Sequence, residues 1–152
     1  MTTIPFLKNS KNLQRTNVIF SADRKTLIHC PKNYSGEFEI PEGTETLGIE
    51  AFAGSKELTS IIFPLSLKKI EMLAFANSNA LRKISIAGYG KITVADDAFD
   101  STHFENCVLE VPAGAKNNYN NAKTWREFNC IIEKTRTAEV QYSENKSLKQ
   151  VI

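Results

Sequence analysis

Apolar and polar side chains alternate in short bursts through the middle of the chain, and the bursts recur at a fixed spacing. Phe38-x-Ile40, Ile61-x-Phe63 and Ile84-x-Ile86 each carry the period of two that sends alternate side chains to one face of a strand. Pro41 and Pro64 follow the first two bursts. Proline has no N–H with which to continue a ladder, so each strand is expected to end there. A single apolar residue comes next, Leu47, Ile70 or Val94, and predicts a turn that dips back into the core. An Ala-Phe pair follows in each unit: Ala51-Phe52, Ala74-Phe75 and Ala98-Phe99. It predicts a short helical turn on the back of the unit, with alanine letting backbones approach and phenylalanine filling the space between strand and return segment. Gly54 and Asn77, two residues past each Phe, suit the left-handed conformation that stops such a turn.

Aligned without a gap, residues 38–60 and 61–83 are identical at six of 23 positions. Four more exchange one apolar side chain for another: Phe38/Ile61, Ile40/Phe63, Leu47/Ile70 and Ile49/Met72. A repeat of roughly 20–29 residues with apolar positions in register marks a solenoid, whose units bury their faces against one another. A βαβ unit takes about 30 residues or more, so a doubly wound sheet is excluded. The third unit, residues 84–108, is looser. Gly88-Tyr89-Gly90 replaces the proline-led turn, another residue enters across 101–106, and Leu109-x-Val111 follows Ile84 by 25 residues. Extra residues in a solenoid go into loops, which frees Tyr89.

Both ends read as caps. Residues 17–20 and 26–30 flank a short polar stretch and predict a hairpin over residues 17–37, closing the first coil. From Leu109 to Glu133 a closing strand leads into a weak helix at 113–122, a tight turn around 123–127 and a last strand at 128–133. Tyr119, Trp125 and Phe128 load this piece with aromatic rings. Residues 1–16 and 134–152 are polar and aperiodic, and are expected to be a flexible lead-in and a flexible tail.

Composition adds mainly exclusions. The chain of 152 residues is one domain's worth, with 19 basic and 17 acidic side chains and a net charge of +2. No basic block argues for nucleic acid, and no apolar run approaches the ~20 residues that span a bilayer. The opening MTTIPFLKNSKN lacks the charged-then-apolar layout of a signal peptide.

The residues that carry the repeat resemble the BspA-type (Treponema-type) leucine-rich repeat. Leu58-x-x-Ile61-x-Phe63-Pro64, then Ile70 and Ala74-Phe75, follow that pattern, as do Ile40-Pro41 through Leu47, Gly48, Ala51-Phe52-Ala53-Gly54 and Leu58. Phe20 to Ile28 is similar to the opening hairpin of the family, and Val111 to Glu133 to its closing cap. The resemblance covers residues 17–133. It implies an α/β fold, a short right-handed β-α superhelix with a parallel sheet on one face, an N-terminal hairpin cap and a C-terminal helical, aromatic cap. It also implies a non-catalytic protein–protein interaction module at the bacterial cell surface or secreted, acting in adhesion or partner binding. A cytoplasmic location stays open, and the alternative role is a structural or assembly module within a larger protein. The family's frequent cysteine is replaced by Ser55, Ser78 and Ser101, and Glu71 stands where glycine is usual.

Candidate chemistry is sparse, and the chain is expected to be neither an enzyme nor a cofactor or metal protein. His29 and Cys30 are adjacent, so on a strand they face opposite ways and make no nucleophile–base pair. His103 and Cys107 flank an irregular loop without a convergent ligand set. Cys107 and Cys130 share inward parity on neighbouring predicted strands, which leaves a disulfide between them open. What remains is the outward face of the strands, in two rows: Glu37, Ser60, Lys83, Val108 and Glu39, Ile62, Ser85, Glu110. The candidate protein-binding surface is Glu39, Ile62, Leu65, Lys83, Ser85, Tyr89 and Glu110, on a chain expected to be monomeric.

Overall fold

The computed structural model describes residues 17–102 and 104–134. The expected lead-in at 1–16, His103 and the tail from 135 onward lie outside the described residues. Strands β1 (Ile19–Phe20) and β2 (Thr26–His29) form the opening antiparallel hairpin. Four longer strands carry the repeat: β3 (Gly36–Glu39), β5 (Leu58–Phe63), β7 (Lys83–Ile86) and β9 (Val108–Val111). Between them lie two-residue strands, β4 (Thr46–Leu47), β6 (Lys69–Ile70) and β8 (Thr93–Val94). The helix α1 (Lys116–Asn120), a 3₁₀ turn at Trp125–Glu127 and β10 (Cys130–Glu133) close the chain.

The chain coils into a solenoid of parallel strands. One five-stranded sheet runs in the order β3, β5, β7, β9, β10, and the other in the order β1, β2, β4, β6, β8. Among the described residues, every pairing apart from the opening hairpin is parallel. The register follows the repeat: Phe38 pairs with Ile61, Ile61 with Ile84 and Ile84 with Leu109. Leu27, Leu47, Ile70 and Val94 line up in the same way in the second sheet. The single apolar residues thus form a second sheet, which two-residue strands are too short to announce by periodicity.

The Ala-Phe segments are linked tight turns rather than the expected helical turns. The N–H groups of Ala51, Ala53 and Ser55 donate to the carbonyls three residues back, and those of Ala74, Ala76 and Ser78 do the same. Left-handed residues interrupt each run, at Glu50 (φ 58°) and Gly54 (φ 72°), then at Leu73 (φ 58°) and Asn77 (φ 56°). No helix can propagate through them. Alanine does allow close approach: Phe52 N–H donates to the Ala74 carbonyl, and Phe75 N–H to the Ala98 carbonyl, both at 2.7 Å. The phenylalanine rings stack as a ladder, Phe52 on Phe75 and Phe75 on Phe99, each at 5.1 Å between centroids and nearly parallel.

A second ladder runs beside the rings. Ser78 Oγ donates to the Phe52 carbonyl at 2.9 Å, and Thr102 Oγ1 to the Phe75 carbonyl at 2.6 Å. The third rung is therefore Thr102, and Ser101 takes the exposed left-handed place of Gly54 and Asn77 (φ 60°). The residue added in the third unit lies ahead of Ala98, which shifts the equivalence by one. Ser55 in the first coil has no partner for its buried hydroxyl, because the hairpin beneath it does not supply the matching carbonyl. Ser55→Ala should accordingly leave stability unchanged or raise it by about 1 kcal/mol, whereas Ser78→Ala should lower it by about 1–3 kcal/mol. Urea denaturation of the two variants checks the contrast, and equal losses would remove the ladder as an explanation.

Candidate functional site

The long sheet holds the predicted outward rows in register. Glu39 pairs with Ile62, Ile62 with Ser85, Ser85 with Glu110 and Glu110 with Ile132. Glu37, Ser60, Lys83, Val108 and Cys130 form the neighbouring row. Two candidates converge on the carboxylate of a third: Ser85 Oγ donates to Glu110 Oε1 at 3.0 Å, and Lys83 Nζ lies 3.5 Å from the same oxygen. Ser85 is only 6% exposed and so supports Glu110 from beneath. Ile62 is half-buried and Glu39 exposed. Leu65 and Tyr89, at 68% and 70% exposed, stand at the turn edge of this face. They are neighbours through Gly88, where a Cβ would lie 3.4 Å from Leu65 Cδ2.

Two features escaped the sequence pattern. Ile49 and Met72, paired as repeated apolar positions, are exposed, and Ile28 on the short sheet joins them. The left-handed residues at Glu50 and Leu73 directly follow or closely follow these side chains, and the chain turns there instead of continuing a strand. The last strand is also one residue out of its expected parity: Ile131 is buried opposite Leu109, while Cys130 is exposed opposite Val108. Phe128 precedes the strand rather than opening it, and a slip of one residue exchanges the faces.

That slip settles the thiols. Cys107 is buried, Cys130 is exposed, and all three cysteines are free. Burial pushes the thiols of Cys30 and Cys107 up to about 12, opposed at Cys107 by the Arg82 charge. One thiol per chain, that of Cys130, should react with a maleimide at neutral pH, and all three in denaturant. The buried thiols hold their protons beyond the ordinary value of 9.0, so the unfolded chain releases protons first. Their contribution to stability is complete below about pH 9 and is lost as pH rises toward 12. Melting temperatures measured across that range should fall, less steeply in Cys30→Ala.

Among the described residues, no group of three or more His, Cys, Asp or Glu side chains is placed to hold a metal, and no helix is long and apolar enough to cross a membrane.

Comparison with known families agrees with the repeat. The model of the BspA type leucine rich repeat region, six copies long, matches residues 29–148. The chain belongs to the BspA-type leucine-rich repeat family. The match begins at the last residue of β2 and takes in every coil, α1 and β10. A crystal structure of a leucine rich cell surface protein from Faecalibacterium prausnitzii is similar at 18% identity and a TM-score of 0.44. The similarity covers 82% of this chain and 39% of that one. No curated protein matches the chain. Within the BspA-type pattern, the frequent cysteine position corresponds to the hydroxyl ladder of Ser55, Ser78 and Thr102.

Proposed function

We propose that this BspA-type repeat domain binds a protein partner through the outward face of its long sheet. The observation that carries the reading is the alignment of Glu39, Ile62, Ser85 and Glu110 in one row, beside Lys83 and next to the exposed Leu65 and Tyr89. Exposed apolar side chains grouped at the edge of a rigid sheet, rimmed by charge, suit recognition of another protein. Lys83 and Ser85 fix the Glu110 carboxylate, so the charged rim is held in place before a partner arrives. Adhesion at the cell surface or outside the cell is the role that family membership suggests for such a face.

The test is capture of a cell-surface or matrix protein by the intact domain, compared with Ile62→Asp. Placing a charge at the centre of the row should weaken capture at least tenfold, the scale of a hot-spot substitution of about 1.4 kcal/mol or more. Capture that is unchanged by Ile62→Asp and by Leu65→Asp would move the site off this face.

A further inference from the structure

The drift of the third coil builds a second feature beside the sheet face. The Tyr89 hydroxyl donates to the Ala113 carbonyl at 2.7 Å, tying the glycine-flanked loop to the turn that leads into α1. Between loop and helix lies a cleft of about 310 Å³, whose lining includes Tyr89, Lys91, Ile92, Asn118, Tyr119 and Trp125. Tyr119 and Trp125 are 8% and 4% exposed, yet neither the phenol nor the indole N–H is hydrogen-bonded to any described residue. Buried tyrosine and tryptophan usually find a partner for those groups. The fully enclosed orphan atoms are Thr44 Oγ1 and Ser55 Oγ, so the two cap residues keep their polar atoms open, and the cleft is the open space both residues line.

The chemistry of the cleft is one-sided. It offers aromatic and aliphatic walls, together with donors from Tyr119, Trp125, Asn118 and Lys91, and no carboxylate lines it. A sugar ring brings several hydroxyls that donate as well as accept, and the side chains of this lining offer neutral acceptors at Asn118 and the tyrosine hydroxyls but no carboxylate to take them in pairs. A proline-containing extended segment brings the reverse: apolar rings, carbonyl acceptors and no N–H at proline. The volume lies at the small end of ligand pockets and suits one or two such rings. The geometry points to this cleft as the docking site for a proline-containing extended segment of a partner protein. This rests on the reading that the domain binds protein, and adds the chemistry of what is bound. Aromatic-lined grooves elsewhere recognise the same kind of segment.

Trp125 is the sole tryptophan, so its emission reports on the cleft directly. The full chain is titrated with a capped oligoproline peptide, with a glycine-serine peptide of equal length and with a linear oligoglucoside. A saturable change in emission is expected for oligoproline alone. Tyr119→Phe, which keeps the ring, should weaken binding roughly 2–10-fold, the range of one hydrogen bond. Tyr89→Ala, at an exposed position, should weaken it as well, and Ile62→Asp should leave it unchanged. Saturation by the oligoglucoside in place of oligoproline, no saturable change, or undiminished affinity in both tyrosine variants would each overturn the proposal. Partner capture that depends on Ile62 while oligoproline fails to bind would end the cleft proposal alone and leave the sheet face standing.

Discussion

Phe75→Ala is expected to destabilise the solenoid by about 3–5 kcal/mol, against a total of about 5–15 kcal/mol for an ordinary domain. Phe75 is fully buried and is the middle rung of the ring ladder, stacked on Phe52 below and Phe99 above. It also meets Phe63 from the long sheet at 6.2 Å, so one ring joins three coils' worth of packing. Truncation leaves a cavity that the flanking rings cannot fill, because Phe52 is held by its N–H bond to the Ala74 carbonyl and Phe99 is packed against Trp125 and Phe128. Phe52 also has Phe38 edge-on at 5.5 Å and should show a loss of similar size on truncation. Chemical denaturation followed by circular dichroism measures both. A loss below about 1 kcal/mol in Phe75→Ala would mean that the ladder is not the core of the stack.

Trp125→Ala should cost a similar 3–5 kcal/mol, through a different part of the molecule. Trp125 meets Phe63, Phe99, Tyr119 and Phe128 at 5.9–6.4 Å between ring centroids, three of them edge-on. With Phe128 it packs the C-terminal segment against the rings of the preceding coils. In a repeat stack each coil is stabilised by its neighbours, so damage to an end should spread inward from that end. Hydrogen exchange should therefore show protection lost first in β9 and β10, with β3 and β5 retaining it longer. Uniform loss across all strands would mean that the solenoid melts as one unit and that the cap has no separate role.

Much of the fold was legible because inward residues recur at a constant interval. Phe38, Ile61, Ile84 and Leu109 are buried as their alternation requires, and the outward rows pair in the order the repeat implies. Legibility failed where backbone conformation, rather than hydrophobicity, sets direction. Ile49 and Met72 are apolar and repeated, but the chain turns beside them and leaves them in solvent. The parity of β10 was misread because Phe128 serves the cap and not the strand. Ser85 has outward parity, yet its strand neighbours and Glu110 cover it, which no alternation pattern records. The cleft escaped for a different reason. It arises between a loop and a helix, where the Tyr89 hydroxyl reaches a carbonyl 24 residues further along the chain.

The equal length of the first two coils makes the molecule extensible. Residues 61–83 supply one strand to each sheet, one phenylalanine ring and one serine rung, and they receive the next coil in the same register that they present to the last. A tandem copy of that stretch placed after Lys83 would lengthen the stack by about 4.8 Å, the spacing between neighbouring strands. Each copy would add another isoleucine to the outward row at the position of Ile62. The reach of the surface is then a matter of copy number, and the protein can be treated as a ruler whose divisions are single coils.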